Sequence, residues 1–400
     1  MRLALAPSLV TWRSLVVHRR TVRICLIGDI NSILVRRWID YLVDSGHTVH
    51  VMSHTEGSYA RCEVTYVNWS PEPRVKYLSF ARHIAQLVRR IRAEKADIVH
   101  QHYLTFSGLA PLLLRSAPFV ISVWGSDIYQ FAELSRRNLR IVRFILEHCD
   151  AITTTSVAMR EQLVHRFGLD EEKITTFSWG VDLPTFSQDR TAESAKLREG
   201  LAIPERSPVV LSIRHFRERY GIADIIKSIP DVLAKHPEAF FVFVGGWIDR
   251  EFHAHQRQFI DRQGIQENVR VIARMVEPAE MAALLQMATI FVSVPYWDQL
   301  SSSVLEGMAC GAIPIVGRLE VYKEVIEDGV NGFLVPLHDS GGLAERLCAT
   351  LSDSAYYRET FARLNRKLIS EHHDWSVQAP NMLGVYEQVR QGWREQLPVC

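Results

Sequence analysis

A repeated alternation of short apolar runs with longer amphipathic segments constrains the fold of this chain more than any other feature. From residue 21 onward, the short runs are rich in β-branched residues, which is typical of strands buried on both faces of a parallel sheet. In the first half, the predicted strands are residues 23–28, 48–53, 63–67, 97–102, 119–123, 151–155 and 174–177. The intervening segments 34–44 and 78–95 carry apolar residues every three or four positions, so we expect crossover helices there.

The same alternation begins again after a polar stretch at residues 187–205. The predicted strands of this second series are residues 208–213, 240–244, 269–272, 290–294, 313–316 and 333–335. A chain of 400 residues is also too long for one ordinary core. We therefore predict an α/β protein with two Rossmann-like domains, residues 21–187 and 200–374, after an N-terminal extension at 1–20.

Right-handed crossovers place the loop after every strand at the carboxyl edge of its sheet, where open α/β sheets bind ligands. We expect the two edges to face each other across a cleft. A helical pattern at residues 375–395 has no strand after it, and we expect it to pack back toward the first domain as a brace.

The charge balance argues against a nucleic-acid partner, because Lys and Arg number 46 and Asp and Glu number 45, for a net charge of +1. The six cysteines are scattered without close spacing, which favours a reducing compartment, and we expect a cytoplasmic protein. Arg13, Arg19 and Arg20 interrupt the apolar letters of the first twenty residues, which disfavours a secretory signal. A disordered extension or an over-long start is the favoured interpretation of this segment, and peripheral attachment to the inner face of a membrane is the alternative.

The segment from residue 294 to 314 is the richest in chemistry. A predicted strand ends at Pro295, a polar loop carries Asp298, and a helix begins among Ser301, Ser302 and Ser303. The free N–H groups at such a helix start suit anionic or hydroxyl-rich ligands. Glu306 lies one turn inside the helix, so both carboxylates are candidate ligand contacts, but Ser303-x-x-Glu306 also fits a capping box in which the glutamate only closes the helix start.

This segment resembles the signature of the family 4 retaining glycosyltransferases, in which two acidic residues separated by seven others precede Ala-Met-Ala-x-Gly-x-Pro. Here Asp298, seven residues and Glu306 precede Gly-Met-Ala-Cys-Gly-Ala-Ile-Pro. The resemblance covers about residues 21–390 and implies the GT-B fold. It implies that Asp298 contacts the donor sugar, that Ser301 and Ser302 offer backbone amides to the donor, and that Glu306 binds the nucleotide ribose.

Other segments resemble the same family in the same order. Arg214 matches the arginine that clamps the donor diphosphate, and Arg suits this task because its fork holds two phosphate oxygens. Tyr220 occupies the position of the second clamping residue, a lysine in the family, so we expect Arg219 to substitute; a solvated loop is the alternative for this arginine. The resemblance further implies that Gly245 lies beneath the nucleotide and that Arg274, in the loop near the base, belongs to the donor site.

In the first half, Trp124-Gly125-Ser126-Asp127 falls where many family members have His-Gly-x-Asp, and we expect Gly125 and Asp127 to shape the cleft. His100 and His102 share one face of a predicted strand. Structural roles are usual for such histidines, and an acceptor-site role for His102 is the alternative. Asn31 lies in the first strand-to-helix turn and is a further acceptor-side candidate.

Known cofactor and metal signatures are missing from the sequence. The first strand-to-helix turn lacks G-x-G-x-x-G, and the chain has neither H-E-x-x-H nor clustered Cys and His ligands. We expect a metal-independent transferase without a cofactor, which takes a nucleotide sugar and a saccharide or lipid-linked acceptor. Two alternatives remain open: a nucleotide-sugar epimerase on the same scaffold and a non-catalytic scaffold subunit.

Overall fold

The computed structural model of the protein describes residues 21–67, 76–131, 134–186 and 189–396. The predicted extension at residues 1–20 lies outside these ranges. The described chain forms two α/β domains, each built around one fully parallel sheet, and the prediction of this fold class is confirmed. All predicted strands of both series are confirmed to within one residue at each end.

The first sheet has seven parallel strands in the order β3-β2-β1-β4-β5-β6-β7. The strands are β1 (Arg23–Gly28), β2 (Thr48–Ser53), β3 (Glu63–Tyr66), β4 (Ile98–His102), β5 (Phe119–Ser122), β6 (Ala151–Thr154) and β7 (Ile174–Thr176). The helices of this half are α1 (Ile33–Asp44), α2 (Lys76–Glu94), α3 (Leu109–Leu114), α4 (Arg136–His148) and α5 (Val157–Phe167). The strand order reverses between β1 and β4, where a crevice opens at the carboxyl edge.

The second sheet repeats this arrangement with six strands in the order β10-β9-β8-β11-β12-β13. Its strands are β8 (Val209–Ser212), β9 (Phe240–Val244), β10 (Val269–Ile272), β11 (Ile290–Ser293), β12 (Ile313–Gly317) and β13 (Phe333–Val335). Its helices are α6 (Thr191–Gly200), α7 (Ile222–Leu233), α8 (Arg250–Gln263), α9 (Pro278–Met287), α10 (Ser302–Ala309), α11 (Ser340–Ser352) and α12 (Ser354–Leu368). Here the order reverses between β8 and β11.

Helix α1 illustrates how the local sequence sets these elements. It begins after Ser32, whose hydroxyl accepts a hydrogen bond from the backbone N–H of Val35 and caps the helix. Val35, Trp38, Ile39 and Leu42 are buried on one face, at spacings of three and four residues. The helix therefore packs its apolar stripe on the sheet and directs its start toward the carboxyl edge of β1.

The chain returns to the first domain at its end through α13 (Trp375–Gln378) and α14 (Pro380–Gln396). Met382 and Tyr386 of α14 are buried in the same core cluster as Trp38 of α1. The Tyr386 hydroxyl also lies 2.6 Å from Nδ1 of His100 on β4. The terminal segment therefore completes the core of the first domain, on the face of the sheet that α1 covers.

Candidate active site

The loops that follow β8 and β11 lie side by side, because these two strands are neighbours in the second sheet. Arg214 follows β8, and Asp298 follows β11. They sit at the point where the strand order reverses, which is where ligands bind in open α/β sheets. The structure thus brings together two site residues that are 84 positions apart in the sequence.

Arg214 is held by three side chains of the Asp298 loop and the adjoining helix start. Its Nη2 donates to Oδ2 of Asp298 at 2.5 Å. Its Nη1 donates to the hydroxyls of Ser301 at 2.5 Å and Ser303 at 3.1 Å. The Arg214 side chain is only 9% exposed, and within the described residues its buried Nε has no hydrogen-bond partner. Nε is therefore a buried donor that these contacts leave unsatisfied.

Arg219 approaches the same place from the end of the same loop. The guanidinium carbons of Arg214 and Arg219 lie 4.6 and 4.5 Å from the ring centroid of Tyr220. Nη2 of Arg219 donates to the Tyr220 hydroxyl at 2.5 Å, and the guanidinium also lies 4.9 Å from the ring of Trp297. The structure therefore does not leave Arg219 free in a solvated loop but holds it against Tyr220 and Trp297.

The local electrostatics favour a negatively charged ligand. Burial alone would lower the pKa of Arg214, but the charge and hydrogen bond of Asp298, together with Tyr322 and Tyr220, raise the pKa overall, so the guanidinium stays charged. Next to it, burial and the neighbouring arginines lower the pKa of His215 to about 4. His215 is therefore neutral near pH 7, and the positive charge of this loop resides on its arginines.

Two glycines allow the backbone to close around these side chains. Gly221 has a φ of +66°, and a Cβ atom there would lie 2.1 Å from the carbonyl oxygen of Val294. Only glycine permits both this left-handed conformation and this close approach of the loop to the end of β11. A Cβ atom on Gly245 would lie 3.2 Å from Cα of His215, so the turn after β9 packs directly under the arginine loop.

Helix α10 starts next to Arg214 without a capping side chain. Ser301 is the N-cap residue, but its hydroxyl accepts from Arg214 and makes no capping hydrogen bond. The predicted alternative for Glu306, a capping box with Ser303, is not formed among the described residues. The start of α10, including Ser302, therefore presents backbone N–H groups and a positive dipole end beside the arginine.

Glu306 lies deeper along α10, near the first domain. Its pKa is raised to about 7 by burial; Arg37 of α1 partly offsets this rise, and Asp182 adds to it. Arg37 is itself fixed, because its Nη2 donates to the carbonyl oxygens of Trp179 and Gly180. The neighbours of Glu306 thus come partly from the first domain. The structure does not place Glu306 among the side chains that bind Arg214.

Arg274 lies apart from this cluster, after β10. Its side chain is 56% exposed and forms an ion pair with Glu280 of α9. The structure therefore gives its guanidinium an intradomain partner. The backbone of the same loop packs against the turn after β9, since a Cβ atom on Gly246 would lie 3.1 Å from the Met275 nitrogen.

The first-domain candidates differ in how far they face the cleft. Asn31 is exposed, and its side-chain amide donates to the carbonyl oxygen of Glu56 at 2.9 Å, which ties the first turn to the loop after β2. His102 is 3% exposed, burial lowers its pKa to about 3, and within the described residues neither ring nitrogen has a hydrogen-bond partner. His100 is bound to Tyr386 and Ser122, as expected of a structural residue.

Asp127 is fully buried and acts on the loops around it. Its carboxylate accepts hydrogen bonds from the backbone N–H groups of Leu104 at 2.8 Å, Trp124 at 3.0 Å and Ile128 at 3.1 Å. Burial nevertheless raises its pKa to about 6. Asp127 thus joins the loops after β4 and β5, which shapes the first-domain side of the cleft without offering a free oxygen to it.

Gln299, next to Asp298, connects the two domains directly. Its Nε2 donates to the carbonyl oxygen of Val123 at 3.0 Å, and its Oε1 accepts from the hydroxyl of Thr155 at 2.8 Å. Gly125 has a φ of +89°, and a Cβ atom there would lie 3.0 Å from Cγ of Gln299. The two carboxyl edges therefore face each other, and they touch at the loop that carries Asp298.

Glu324 of the second domain makes another contact between the domains, at the start of α5. The carboxylate of Glu324 accepts hydrogen bonds from the backbone N–H groups of Val157 at 3.0 Å and Ala158 at 2.9 Å. These are free N–H groups of the first turn of α5, so a residue of the second domain caps a helix of the first.

Sequence reasoning missed several residues of this region. Tyr322, fully buried, donates from its hydroxyl to Oδ2 of Asp298 at 2.6 Å. Tyr322 and Arg37 lie outside the recognised motifs, and Gln299 occupies one of the seven unspecified positions between Asp298 and Glu306. The one usable signal was position, because Gln299 immediately follows Asp298 in a loop at the carboxyl edge.

Two Rossmann-like domains whose carboxyl edges face each other define the GT-B fold. The chain belongs to the family 4 type of glycosyltransferases: residues 23–156 match the family described as glycosyl transferase 4-like, and residues 193–368 match glycosyl transferases group 1. The predicted family is thereby confirmed.

Similar proteins with different names match most of the chain. Spore coat protein SA of Bacillus subtilis is 26% identical over 312 residues, which cover 75% of this chain and 80% of that protein. N-acetyl-alpha-D-glucosaminyl L-malate synthase of Bacillus anthracis is 23% identical over 347 residues, covering 82% of this chain and 86% of that protein. D-inositol 3-phosphate glycosyltransferase of Xylanimonas cellulosilytica is 28% identical over 312 residues, covering 73% and 72%.

Solved structures share the fold over almost the whole chain. Anabaena HepE in complex with UDP and glucose aligns with a TM-score of 0.78 at 17% identity, covering 92% of this chain and all of that one. Sucrose-phosphate synthase from Thermosynechococcus elongatus aligns with a TM-score of 0.77 at 19% identity, covering 93% of this chain and all of that one. In the ranges that the structure describes, no helix has the length and apolar character needed to cross a membrane.

Proposed function

We propose that this glycosyltransferase moves a sugar from a nucleoside-diphosphate sugar to a hydroxyl group of a saccharide or lipid-linked acceptor, with retention at the anomeric carbon. The observation that carries the proposal is the position of Arg214 and Arg219 against Tyr220, beside the uncapped start of α10. Two guanidinium groups and a helix start form a site for two adjacent phosphate groups. HepE, which shares the fold, was crystallised with UDP and with UDP-glucose, and this supports a nucleotide-sugar donor.

The chemistry follows from the charge that develops when the sugar leaves. Cleavage of the anomeric C–O bond leaves the electron pair and a negative charge on the diphosphate. Arg214 and Arg219 stabilise that charge where it appears, and their fixed positions avoid a reorganisation cost during the reaction. The charges supplied by these groups take the place of a divalent cation, so metal independence is part of the proposal. The acceptor hydroxyl loses its proton to a donor phosphate oxygen as it attacks the same face of the sugar.

The acceptor binds on the first-domain side of the cleft, where Asn31 and the loop held by Asp127 face the donor domain. A cytoplasmic location, at the inner face of a membrane when the acceptor is lipid-linked, and a role in cell-envelope or exopolysaccharide synthesis complete the proposal. No cofactor besides the nucleotide sugar is required.

The test is titration calorimetry of the protein with UDP, ADP, GDP and their glucose conjugates, followed by an assay of nucleotide release with a panel of acceptors. Arg214→Gln should weaken binding of the preferred nucleotide sugar at least tenfold, as expected for loss of a charged hydrogen bond. Arg217→Gln is the matched control, because this exposed residue lies in the same loop against Trp247 and should bind normally.

Three outcomes separate the proposal from its alternatives. Nucleotide release that depends on an acceptor, unaffected by EDTA and giving a product with the donor's anomeric configuration by NMR, supports it. Donor isomerisation without an acceptor would establish an epimerase. Tight binding without turnover across a broad acceptor panel would establish a scaffold subunit.

A further inference from the structure

A second group of ligand-type side chains lies in the first domain, outside the cleft. His50 on β2 and Glu63 on β3 are direct partners in the register of these two strands, and Glu94 is the last residue of α2. One ligand atom from each of the three residues lies within 4.8 Å of the other two. Their positions are separated by 13 and 31 residues, so no sequence motif announces the group.

The imidazole of His50 is oriented toward the two carboxylates. Its Nε2 lies 2.7 Å from the hydroxyl of Thr65, which fixes the ring. Its Nδ1 lies 2.8 Å from Oε2 of Glu94 and 3.5 Å from Oε2 of Glu63. A metal-binding histidine usually makes an outer hydrogen bond with the ring nitrogen that does not hold the metal, and Nε2 makes such a bond here.

The contact between His50 and Glu94 is not a well-formed hydrogen bond. Nδ1 is buried and, within the described residues, has no hydrogen-bond partner of acceptable angle, although a carboxylate oxygen is close. The oxygen thus lies off the direction in which Nδ1 would donate a proton. A cation bound to Nδ1 would lie along this direction. The carboxylate oxygens beside it would then be placed as further ligands of the same cation.

The spacing also fits a small cation. Bonds of about 2.0 to 2.2 Å from zinc to nitrogen and oxygen ligands in a tetrahedron place neighbouring ligand atoms about 3.3 Å apart. The two distances from Nδ1, 2.8 and 3.5 Å, lie on either side of this value. Glu63 is 85% exposed and Glu94 is 28% exposed, so an ion can enter from solvent and a water molecule can complete its coordination.

We propose that His50, Glu63 and Glu94 form a binding site for one divalent cation of the zinc type, separate from the donor site. One imidazole and two carboxylates suit zinc better than magnesium, which prefers oxygen ligands alone. The ion joins the edge strand β3 to β2 and to the end of α2, so its effect is to stabilise this side of the first domain.

The test uses the full chain with any affinity tag removed. The protein is stripped with EDTA, and separate samples are then dialysed against zinc sulfate or magnesium sulfate at the same concentration. Elemental analysis by mass spectrometry should find about one zinc and no magnesium per chain. Thermal unfolding should shift upward by several degrees in zinc. Glu63→Gln and Glu94→Gln should each lower zinc affinity at least tenfold. Glu63 is exposed, so its variant keeps the fold intact even where His50→Gln does not.

The matched control is His236→Gln, which changes a histidine hydrogen-bonded to Glu238 in the second domain and should leave zinc binding unchanged. Zinc retention that survives both glutamate substitutions, or its absence from the unaltered protein, overturns the proposal. Neither result bears on sugar transfer, which is measured separately in EDTA.

Discussion

Oε1 of Gln299 accepts a hydrogen bond from the hydroxyl of Thr155 at 2.8 Å, across the boundary between the two domains. Because Gln299 adjoins Asp298, the closure of the cleft and the geometry of the arginine site are mechanically linked. We predict that Gln299→Ala and Thr155→Val show a coupling of about 1 kcal/mol in a double-mutant cycle of unfolding free energy.

The cycle is measured by urea denaturation. Small-angle scattering should also show a larger radius of gyration for Gln299→Ala, because the cleft opens. Gln263→Ala, at an exposed position on α8, serves as the control and should change neither quantity. Additive effects of the two cleft substitutions would show that the hydrogen bond does not hold the domains together.

Tyr322 supports the Arg214 site through Asp298. Burial, and then the charge of Asp298, raise the pKa of Tyr322 well above its usual range. The hydroxyl therefore stays protonated and donates to the carboxylate. Tyr322→Phe should therefore destabilise the protein by about 1.5 to 3 kcal/mol, the cost of losing a hydrogen bond to a charged group.

The comparison is Tyr357→Phe, whose ring packs against Phe333 and Phe361 in the same domain. Urea denaturation measures both variants, and equal losses would remove any special role of the Asp298 hydrogen bond. Donor titration adds a functional measure, in which only Tyr322→Phe should weaken nucleotide-sugar binding.

Glu306 should show opposite effects on stability and donor binding. Its carboxyl has a raised pKa of about 7 in the folded protein against an ordinary 4.5. Between these values the folded state keeps a proton that the unfolded state releases, so this group's contribution to stability falls as pH rises from about 4.5 to 7. Glu306→Gln should therefore stabilise the protein at pH 8 by roughly 1 to 3 kcal/mol and flatten its pH dependence.

Thermal unfolding between pH 5 and 8 measures this effect, and calorimetry at pH 8 measures the expected tenfold or greater loss of donor affinity. Glu267→Gln on the second-domain surface is the control. If Glu306→Gln is less stable at pH 8 than the unaltered protein, the buried carboxylate of Glu306 does not destabilise the fold and the prediction is wrong.

Gly221 should tolerate no side chain. Gly221 and Gly264 share almost the same φ, +66° and +67°, but a Cβ atom at Gly264 meets nothing within 4 Å. Gly264→Ala should cost only the strain of the left-handed conformation, about 1 to 2 kcal/mol. Gly221→Ala should cost clearly more, because its methyl group collides with the carbonyl oxygen of Val294 and displaces the arginine loop.

Both glycine variants are compared by urea denaturation and by donor binding. Only Gly221→Ala should lose donor affinity. Equal destabilisation of the two would mean that the approach to Val294 is not a constraint on this loop.

The parts of the site that follow β8 and β11 were predictable from sequence for a simple geometric reason. Parallel strands end at one edge, so Arg214 and Asp298 had to lie on the same side of the sheet once the strands were recognised. The extent of the strands was equally readable, because buried parallel strands are apolar throughout and end where polar residues begin.

Contacts between side chains on distant segments were not predictable in this way. Tyr322 is 24 residues from its partner Asp298, and Thr155 is 144 residues from Gln299. Such pairings depend on how loops lie after the domains have packed, and no periodicity encodes them. Asp127 was expected to shape the cleft. The sequence did not indicate that backbone N–H groups of two loops would engage its carboxylate fully, because that contact also depends on how the loops pack.

The hydrogen bond between His100 and Tyr386, which spans 286 positions of the chain, has a consequence for biosynthesis. The ribosome completes all seven strands of the first sheet, and then the entire second domain, before it makes helix α14, which packs beside α1 on one face of that sheet. A nascent first domain therefore lacks the part of its core that Met382 and Tyr386 supply until translation has passed Tyr386. Chaperones that recognise apolar surface have their longest opportunity to act on this chain during that interval.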